Sequence, residues 1–208
     1  MRKLAIGLVL MLGVVGASAA VTVYTNEAQF LAAISSPYLM TDFVGLPSGT
    51  IYPPYMIGPQ NGYAGSASGT GQGGGWLWGC SGPYGMALST NSALDSITVD
   101  FSVSPNQVKA TGGWFFPSDI SCNYMSGYQS QVTLTFTDGS TPYVYTFTPS
   151  SWSDFRGFVS DVPLASLNME APDGAAYAWP TIDHFYIGVP EPMSLALLAV
   201  AGLLLRRR

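Results

Sequence analysis

Few side chains in this sequence could carry out acid–base or nucleophilic chemistry. His184 is the single histidine, and it lies in a segment of alternating apolar residues where a structural role is the simpler interpretation. A serine nucleophile needs a histidine and an orienting carboxylate beside it. Neither a Gly-x-Ser-x-Gly nor a His-Glu-x-x-His motif occurs in the sequence. We therefore predict that the protein is not an enzyme.

Carboxylates are the remaining source of chemistry, and residues 21–188 contain 11 of them. A glycosidase needs two carboxylates that face each other, which spacing along a chain cannot show, so a secreted hydrolase stays an alternative. Carboxylates near turns also bind calcium together with backbone carbonyls. Structural calcium is a second alternative, and no other metal or cofactor is expected. The candidate calcium ligands are Asp119, Asp138, Asp173 and Asp183.

The distribution of charge excludes nucleic acid as a partner. Charged residues make up 9% of the chain, against roughly 25% in an average soluble domain. Lys109 and Arg156 are the only basic residues within 21–188, so that this body carries 2 − 11 = −9 charges. Phosphate backbones are bound by clustered lysine and arginine, which this body lacks.

Aromatic side chains near the two cysteines are the best candidates for ligand binding. Exposed aromatic rings can stack on the apolar faces of sugars, whereas buried rings only pack a core. Trp114, which lies in an alternating segment, is expected to be a core residue. A carbohydrate-binding module that tethers exopolysaccharide is therefore an alternative function. The candidate glycan-binding residues are Trp76, Trp78, Tyr84, Tyr124 and Tyr128.

Cys80 and Cys122 are the only cysteines of the chain. Residues 1–20 indicate export to an oxidising compartment, and we therefore expect the two cysteines to form a disulfide.

Residues 1–20 have the layout of a secretory signal peptide. Arg2 and Lys3 precede an apolar run, which is followed by small residues. Two cleavage positions fit the rule of small residues around the cut, one before Ala20, directly after Ala19, and the other directly after Ala20. Signal peptidase is therefore an expected partner during export.

The C-terminal residues 189–208 predict a second membrane segment. Residues 193–205 are uncharged and nearly all apolar, and a hydrophobic helix of this length covers only roughly 20 Å. Since a bilayer core is roughly 30 Å thick, we expect a transient anchor in the inner membrane. Basic residues after an apolar segment stop translocation and stay on the cytoplasmic side. These stop-transfer residues are Arg206, Arg207 and Arg208.

The ending VPEPMSLALLAVAGLLLRRR resembles the PEP-CTERM sorting signal of Gram-negative envelope proteins. Pro190, Glu191 and Pro192, preceded by Val189, match the motif of that family. The resemblance covers about a tenth of the chain. It implies processing by an exosortase, an integral-membrane protease similar to transpeptidases, and an exported protein of the cell envelope, surface or extracellular matrix that is associated with exopolysaccharide or biofilm. A non-catalytic envelope protein is therefore the leading functional hypothesis.

The body between these two signals, residues 21–188, is expected to be one all-β domain. Asn26 can cap a short helix near its start, and Phe30, Leu31 and Ile34 provide the apolar stripe of that helix. Elsewhere apolar residues alternate with polar ones, as they do in strands. The clearest alternating segments are 97–103, 108–116, 132–148 and 181–187.

These patterns predict an antiparallel β-sandwich of the jelly-roll type with about six to nine strands and one short N-terminal helix. The opening VTVYTNEAQFLAAI, the segment DFVGLP and the closing IDHFYIGVPEP look like passenger domains of PEP-CTERM proteins, and this resemblance supports the same fold. Residues 45–92 contain 13 glycines and 5 prolines. Because glycine-rich chain orders poorly, we predict that this segment is a long surface excursion from the sandwich.

Overall fold

The computed structural model of the protein describes residues 19–82, 85–172 and 177–191. Within these ranges the chain forms strands that assemble into two antiparallel sheets, and a single short helix. In chain order the elements are β1 (Val21–Tyr24), α1 (Glu27–Ala33), β2 (Leu39–Thr41), β3 (Gly49–Ile51), β4 (Tyr55–Gln60), β5 (Tyr63–Gly71), β6 (Leu77–Gly82), β7 (Gly85–Thr90), β8 (Asp95–Asp100), β9 (Ala110–Ser118), β10 (Ser130–Phe136), β11 (Tyr143–Phe147), β12 (Phe155–Ser160), β13 (Leu164–Glu170) and β14 (Trp179–Gly188).

The two sheets pack face to face as a β-sandwich. The larger sheet has eight strands in the order β1-β12-β9-β14-β7-β6-β3, with β2 also paired to β14. The smaller sheet has six strands in the order β11-β10-β13-β8-β5-β4. The predicted all-β antiparallel sandwich with one short N-terminal helix is confirmed, although the described residues form more strands than the alternation suggested.

The core lies between the two sheets, where the alternating apolar residues meet. Ile97 and Val99 of β8 and Val132 and Leu134 of β10 are fully buried, while their polar neighbours along each strand face outward. The predicted hairpin is present as β10 paired with β11, with Val132 opposite Tyr145. Period-two patterning therefore located these strands correctly, because one face of each is buried.

The helix α1 covers part of the outer face of the larger sheet, the face turned away from the smaller sheet. The Asn26 side chain accepts a hydrogen bond from the Gln29 N–H at 3.0 Å and so caps the helix. Phe30 is fully buried against Phe155 of β12 and Tyr186 of β14. A second, smaller apolar cluster thus fixes the helix on this face.

The prediction that residues 45–92 form a surface excursion is wrong, because five strands, β3 to β7, lie within this segment and belong to both sheets. Glycine is required there by close packing. A Cβ at Gly79 would lie 1.8 Å from the Pro47 carbonyl oxygen, and one at Gly65 would lie 2.8 Å from Val99 Cγ1. The glycines allow close approach of neighbouring chain segments, which composition alone does not reveal.

Several predictions fall outside the described residues. These are the signal peptide up to residue 18, Tyr84, Asp173, Pro192, the apolar run 193–205 and the basic residues Arg206, Arg207 and Arg208. Within the ranges that the structure does describe, no helix is long and apolar enough to cross a bilayer.

Candidate functional site

A pocket opens on the outer face of the larger sheet, beside Trp78 of β6. Trp78 and Trp179, the first residue of β14, contribute two half-buried indoles to its lining. Asn91, which follows β7, and the exposed Ile120 also line it. The pocket has a volume of about 130 Å³. Sheet geometry creates it, because Trp78 lies opposite Ser89 of β7 and a small side chain there leaves room between the rings.

A second pair of aromatic rings continues this surface away from the pocket. Trp76 lies two residues before Trp78 and therefore on the same side of the chain, and the Trp76 backbone carbonyl accepts a hydrogen bond from Asn91 N–H at 2.9 Å. Its ring contacts Tyr52 edge to face, with the centroids 5.6 Å apart. Trp76 is 43% exposed and Tyr52 is 73% exposed. We call Tyr52, Trp76, Trp78 and Trp179 the aromatic surface.

The predicted disulfide between Cys80 and Cys122 is present and forms part of the pocket floor. Both cysteines are buried. The bridge attaches the segment 119–123 to β6, and this segment supplies Asp119 and Ile120 as one wall of the pocket. The shape of the pocket therefore depends on a covalent link between two parts of the chain that are distant in sequence.

The Asp119 carboxylate holds the turn of that wall together. It accepts hydrogen bonds from the backbone N–H groups of Ser121 and Asn123, both at 2.8 Å, and from the Asn123 side-chain amide. Burial acts to raise the pKa of Asp119, but the hydrogen bonds from Asn123 and Ser121 outweigh it and the pKa is lowered. Asp119 is therefore ionised and its principal role is in the local turn.

Two further glycan-binding candidates that the structure describes, Tyr124 and Tyr128, are not part of the aromatic surface. The Tyr124 hydroxyl donates a hydrogen bond to the Pro149 carbonyl, and its ring packs edge to face on Phe116. Tyr128 is half-buried and is not among the residues lining the pocket. Of the four candidates within the described residues, the structure thus brings together Trp76 and Trp78.

His184 is part of a hydrogen-bonded cluster beside helix α1. Its Nε2 lies 3.0 Å from Glu27 Oε1 and 3.0 Å from the Tyr186 hydroxyl, which also donates a hydrogen bond to Glu27. Trp114 stacks on the imidazole at 4.3 Å, with 11° between the ring planes. Trp114 was predicted to be a core residue. It is half-buried on the outer face, where it packs against the smaller apolar cluster and not in the main core. The cluster fastens α1 to β14.

Asp183, next to this cluster, is a buried carboxyl group. It accepts a hydrogen bond from the His184 backbone N–H at 2.7 Å. Burial raises its pKa to about 7, Asp42 adds to this effect, and the hydrogen bond from His184 acts against it. Asp183 is thus partly protonated near neutral pH.

Each candidate calcium ligand that the structure describes accepts hydrogen bonds from its own local backbone. Asp119 binds the turn at 119–123, Asp138 accepts the Ser140 N–H at 2.9 Å, and Asp183 accepts the His184 N–H. Among the described residues, no group of three or more His, Cys, Asp or Glu side chains could hold a metal ion.

The structure describes the predicted signal-cleavage residues and the first residues of the predicted sorting motif. Ala19 is half-buried beside the main core, and the Ala20 N–H donates to Asp161 Oδ1 at 2.9 Å. Val189 also packs against the main core. The Glu191 N–H donates to the Ala33 carbonyl at 3.0 Å. The first part of the VPEP sequence is therefore attached to the folded body.

Sequence reasoning missed Trp179, Tyr52, Asn91 and Ile120. Trp179 could have been found, since it extends the alternation of Thr181 and Asp183 by one step at the start of β14. Asn91 and Ile120 lie in turns, and no pattern in the sequence shows that these turns meet. Only the disulfide and the pairing of β7 with β14 bring them to Trp78.

No protein-family model matches the chain, and no curated protein matches it either. A solved structure of a mutant family 29 carbohydrate-binding module is similar to 63% of this chain, and the match covers 84% of the module. The TM-score is 0.33 and the sequence identity is 11%. A likeness this weak supports no conclusion about the ligand.

Proposed function

We propose that this protein is an exported, non-catalytic envelope protein that binds a neutral polysaccharide through its aromatic surface. The observation that carries the proposal is the pocket between Trp78 and Trp179, which the exposed rings of Trp76 and Tyr52 extend. Indole rings offer apolar faces to the C–H faces of a sugar, and their N–H groups can donate to its hydroxyls.

The size and polarity of the pocket suit one sugar unit of a longer chain. Its volume of about 130 Å³ is smaller than the roughly 300–1,000 Å³ of pockets that enclose a drug-sized ligand. Asn91, whose side chain has both a donor and an acceptor, supplies a polar group at the rim. Neighbouring sugars of the chain would then lie on the exposed rings of Trp76 and Tyr52.

The charge of the body favours a neutral ligand over an acidic one. Residues 21–188 carry 2 − 11 = −9 charges, and the field of such a body repels polyanions. Asp119 is the one carboxylate among the residues lining the pocket. Because a glycosidase needs two carboxylates across the scissile bond, binding fits this pocket better than hydrolysis.

Three features support export and attachment to the envelope. The disulfide between Cys80 and Cys122 is typical of proteins that fold in an oxidising compartment. Residues 1–20 have the layout of a signal peptide, and residues 189–208 resemble a PEP-CTERM signal. On this proposal signal peptidase and an exosortase act during export, and exopolysaccharide is the ligand at the cell surface.

The test is affinity electrophoresis of the purified protein through gels containing hydroxyethylcellulose, laminarin or galactomannan, with and without calcium. We expect retardation by at least one of these neutral polysaccharides. Trp78→Ala should weaken binding by about tenfold or more, because it removes a central ring of the surface. Trp152→Ala is the matched control, since Trp152 lies against Trp114, away from the pocket, and it should bind as the parent does.

Two results would contradict the proposal. Absence of retardation in all three polysaccharides would argue against a glycan ligand of this class. Equal weakening by Trp78→Ala and Trp152→Ala, with both variants folded by circular dichroism, would show that the aromatic surface is not the binding site.

A further inference from the structure

Both ends of the described chain leave the sandwich at the same end of the larger sheet. The Asp161 N–H donates to the Ala20 carbonyl at 3.2 Å, the Ser160 N–H to the Lys109 carbonyl at 2.8 Å, and the Lys109 N–H to the Gly188 carbonyl at 3.0 Å. This row crosses four neighbouring strands, β1, β12, β9 and β14. At about 4.8 Å per strand, the two exits are about 14 Å apart.

The C-terminal exit is held in place by the segment that follows helix α1. The Ser35 N–H donates to the Val189 carbonyl at 2.8 Å, and the Ser35 hydroxyl donates to the Pro190 carbonyl at 3.1 Å. The Glu191 N–H donates to the Ala33 carbonyl at 3.0 Å. The direction of the chain is therefore fixed as far as Glu191.

Apolar sequence begins close to each exit. The run 4–15 ends five residues before Ala20, and the run 193–205 begins two residues after Glu191. An extended chain covers at most about 3.6 Å per residue, so these connections reach about 18 Å and about 7 Å. Neither connection is long enough to carry its apolar run to the far end of the sandwich.

The aromatic surface lies at that far end. Trp179, which lines the pocket, begins β14, and Gly188 ends it. The paired stretch of β9, from Ser118 to Ala110, has eight steps of about 3.3 Å and places the pocket about 26 Å from the C-terminal exit. The turn between β7 and β8, which contains the exposed Leu94, lies at the pocket end, while the connection from β8 to β9, which contains Gln107, returns to the exit end.

We propose that the end of the sandwich defined by Ala20, Lys109 and Glu191 faces a lipid bilayer and that the Trp78 pocket points away from it. The proposal rests on the membrane-anchoring part of the proposed function and not on glycan binding. This end carries Lys109 and the acidic residues Asp100, Asp138, Asp161 and Glu191, since Asp100 lines the same pocket as Gln107 and Thr137, and Asp138 follows Thr137. Attraction to anionic headgroups is therefore not what holds it there, and either apolar run alone gives the same orientation.

The test measures energy transfer from the protein to the membrane. The full chain is labelled with one donor dye at Gln107→Cys or at Leu94→Cys and bound to vesicles of phosphatidylethanolamine and phosphatidylglycerol that contain a lipid-linked acceptor. Because the two sites lie at opposite ends, about 26 Å apart, we expect the transfer efficiency at Gln107→Cys to be at least about twice that at Leu94→Cys. The same order is expected when Leu8→Asp or Leu197→Asp interrupts one of the two apolar runs.

A chain with both Leu8→Asp and Leu197→Asp is the control, and its vesicle binding should fall at least tenfold, since a charged side chain at the centre of an apolar run disfavours insertion. Equal transfer at the two sites, or higher transfer at Leu94→Cys, would overturn the proposal. Failure of the parent chain to float with vesicles would overturn it as well. None of these readings involves polysaccharide, so failure of glycan binding is a separate outcome.

Discussion

The outer faces of the two sheets differ in whether their side chains already have partners within the protein. On the smaller sheet, hydroxyl and amide groups bind one another: Thr70 Oγ1 lies 2.7 Å from Ser96 Oγ, and the Asn168 amide donates to Ser96 and Thr98 at 2.7 and 2.9 Å. On the larger sheet, a helix and a disulfide-linked turn cover part of the outer face and leave Trp76 and Trp78 in contact with water.

The smaller sheet thus has an outer surface whose polar groups are already paired, whereas the larger sheet has exposed apolar rings. A network of paired hydroxyls gains little from a ligand, because each new hydrogen bond replaces one already made. An exposed indole gains more, because the apolar area that a ligand covers is removed from water. The outer face of the larger sheet is therefore the face on which the proposed ligand would gain more.

The largest effect on stability is expected where helix α1 covers the outer face of the larger sheet. Phe30→Ala should lower the free energy of unfolding by about 3–5 kcal/mol, because it leaves a cavity between α1 and the larger sheet. Gln29→Ala, at an exposed position of the same helix, should change it by less than about 0.5 kcal/mol. Urea unfolding measures both values, and similar values for the two variants would show that the helix contributes little.

The second effect concerns the disulfide. Replacing both cysteines, with Cys80→Ser and Cys122→Ser, should lower the stability by about 4 kcal/mol, since the bridge closes a loop with a sequence separation of 42. Calorimetry measures the change in melting temperature. Hydrogen exchange should also increase at the Ser121 and Asn123 amides, which donate to Asp119, but not on β8 or β10. Equal increases on both sheets would contradict a local role for the bridge.

The third effect is the pH dependence of stability that Asp183, on the outer face of the larger sheet, introduces. Its folded pKa of about 7 lies above the ordinary value of 3.8, so the folded protein binds the proton more tightly than the unfolded chain does. The stabilisation is complete below about pH 4 and is lost as the pH rises to about 7. At about 1.4 kcal/mol per pKa unit, the loss is at most about 4 kcal/mol.

Asp183→Asn removes this group while keeping a similar shape. The difference in unfolding free energy between the parent and the variant, measured by urea titration from pH 4 to pH 8, should therefore change steadily over that interval. A difference that is independent of pH would show that Asp183 has an ordinary pKa.

The smallest effect is expected on the hydroxyl network of the smaller sheet. Asn168→Ala removes the hydrogen bonds to Ser96 and Thr98, which should cost about 1–2 kcal/mol of stability. Retardation in polysaccharide gels should stay unchanged. Weaker binding in this variant would mean that the smaller sheet also contacts the ligand, and the distinction between the two faces would fail.

The sequence predicted those parts of the fold that depend on local periodicity. Alternation identified β8, β9, β10, β11 and β14, and the Asn26 cap identified α1. The same reasoning failed for residues 45–92, because the small residues of β5 and β6 give no apolar period even though neighbouring segments pack closely against them. Local pattern detects strands that contribute large side chains to the core, and it misses strands that are selected for close approach.

The candidate site was predictable only in part. Trp76 and Trp78 were found because they lie close in sequence to the cysteines, and the disulfide was expected because an exported chain has two cysteines. Trp179 and Ile120 reach the pocket through strand pairing and through the bridge. Such contacts between distant parts of the chain have no signature in the sequence of either part.

The position of β14 has a mechanical consequence. This strand begins at Trp179 beside the pocket and ends at Gly188, next to the C-terminal exit, and its neighbours in the sheet are β9, β7 and β2. A pull on a bound polymer, resisted at Glu191, would act along the axis of the strand. On the proposed function, load taken at Trp179 would pass along the covalent backbone of β14. Load taken at Trp78 of β6 would instead reach β14 through the hydrogen bonds of β7, which would bear it together in shear and not open one after another.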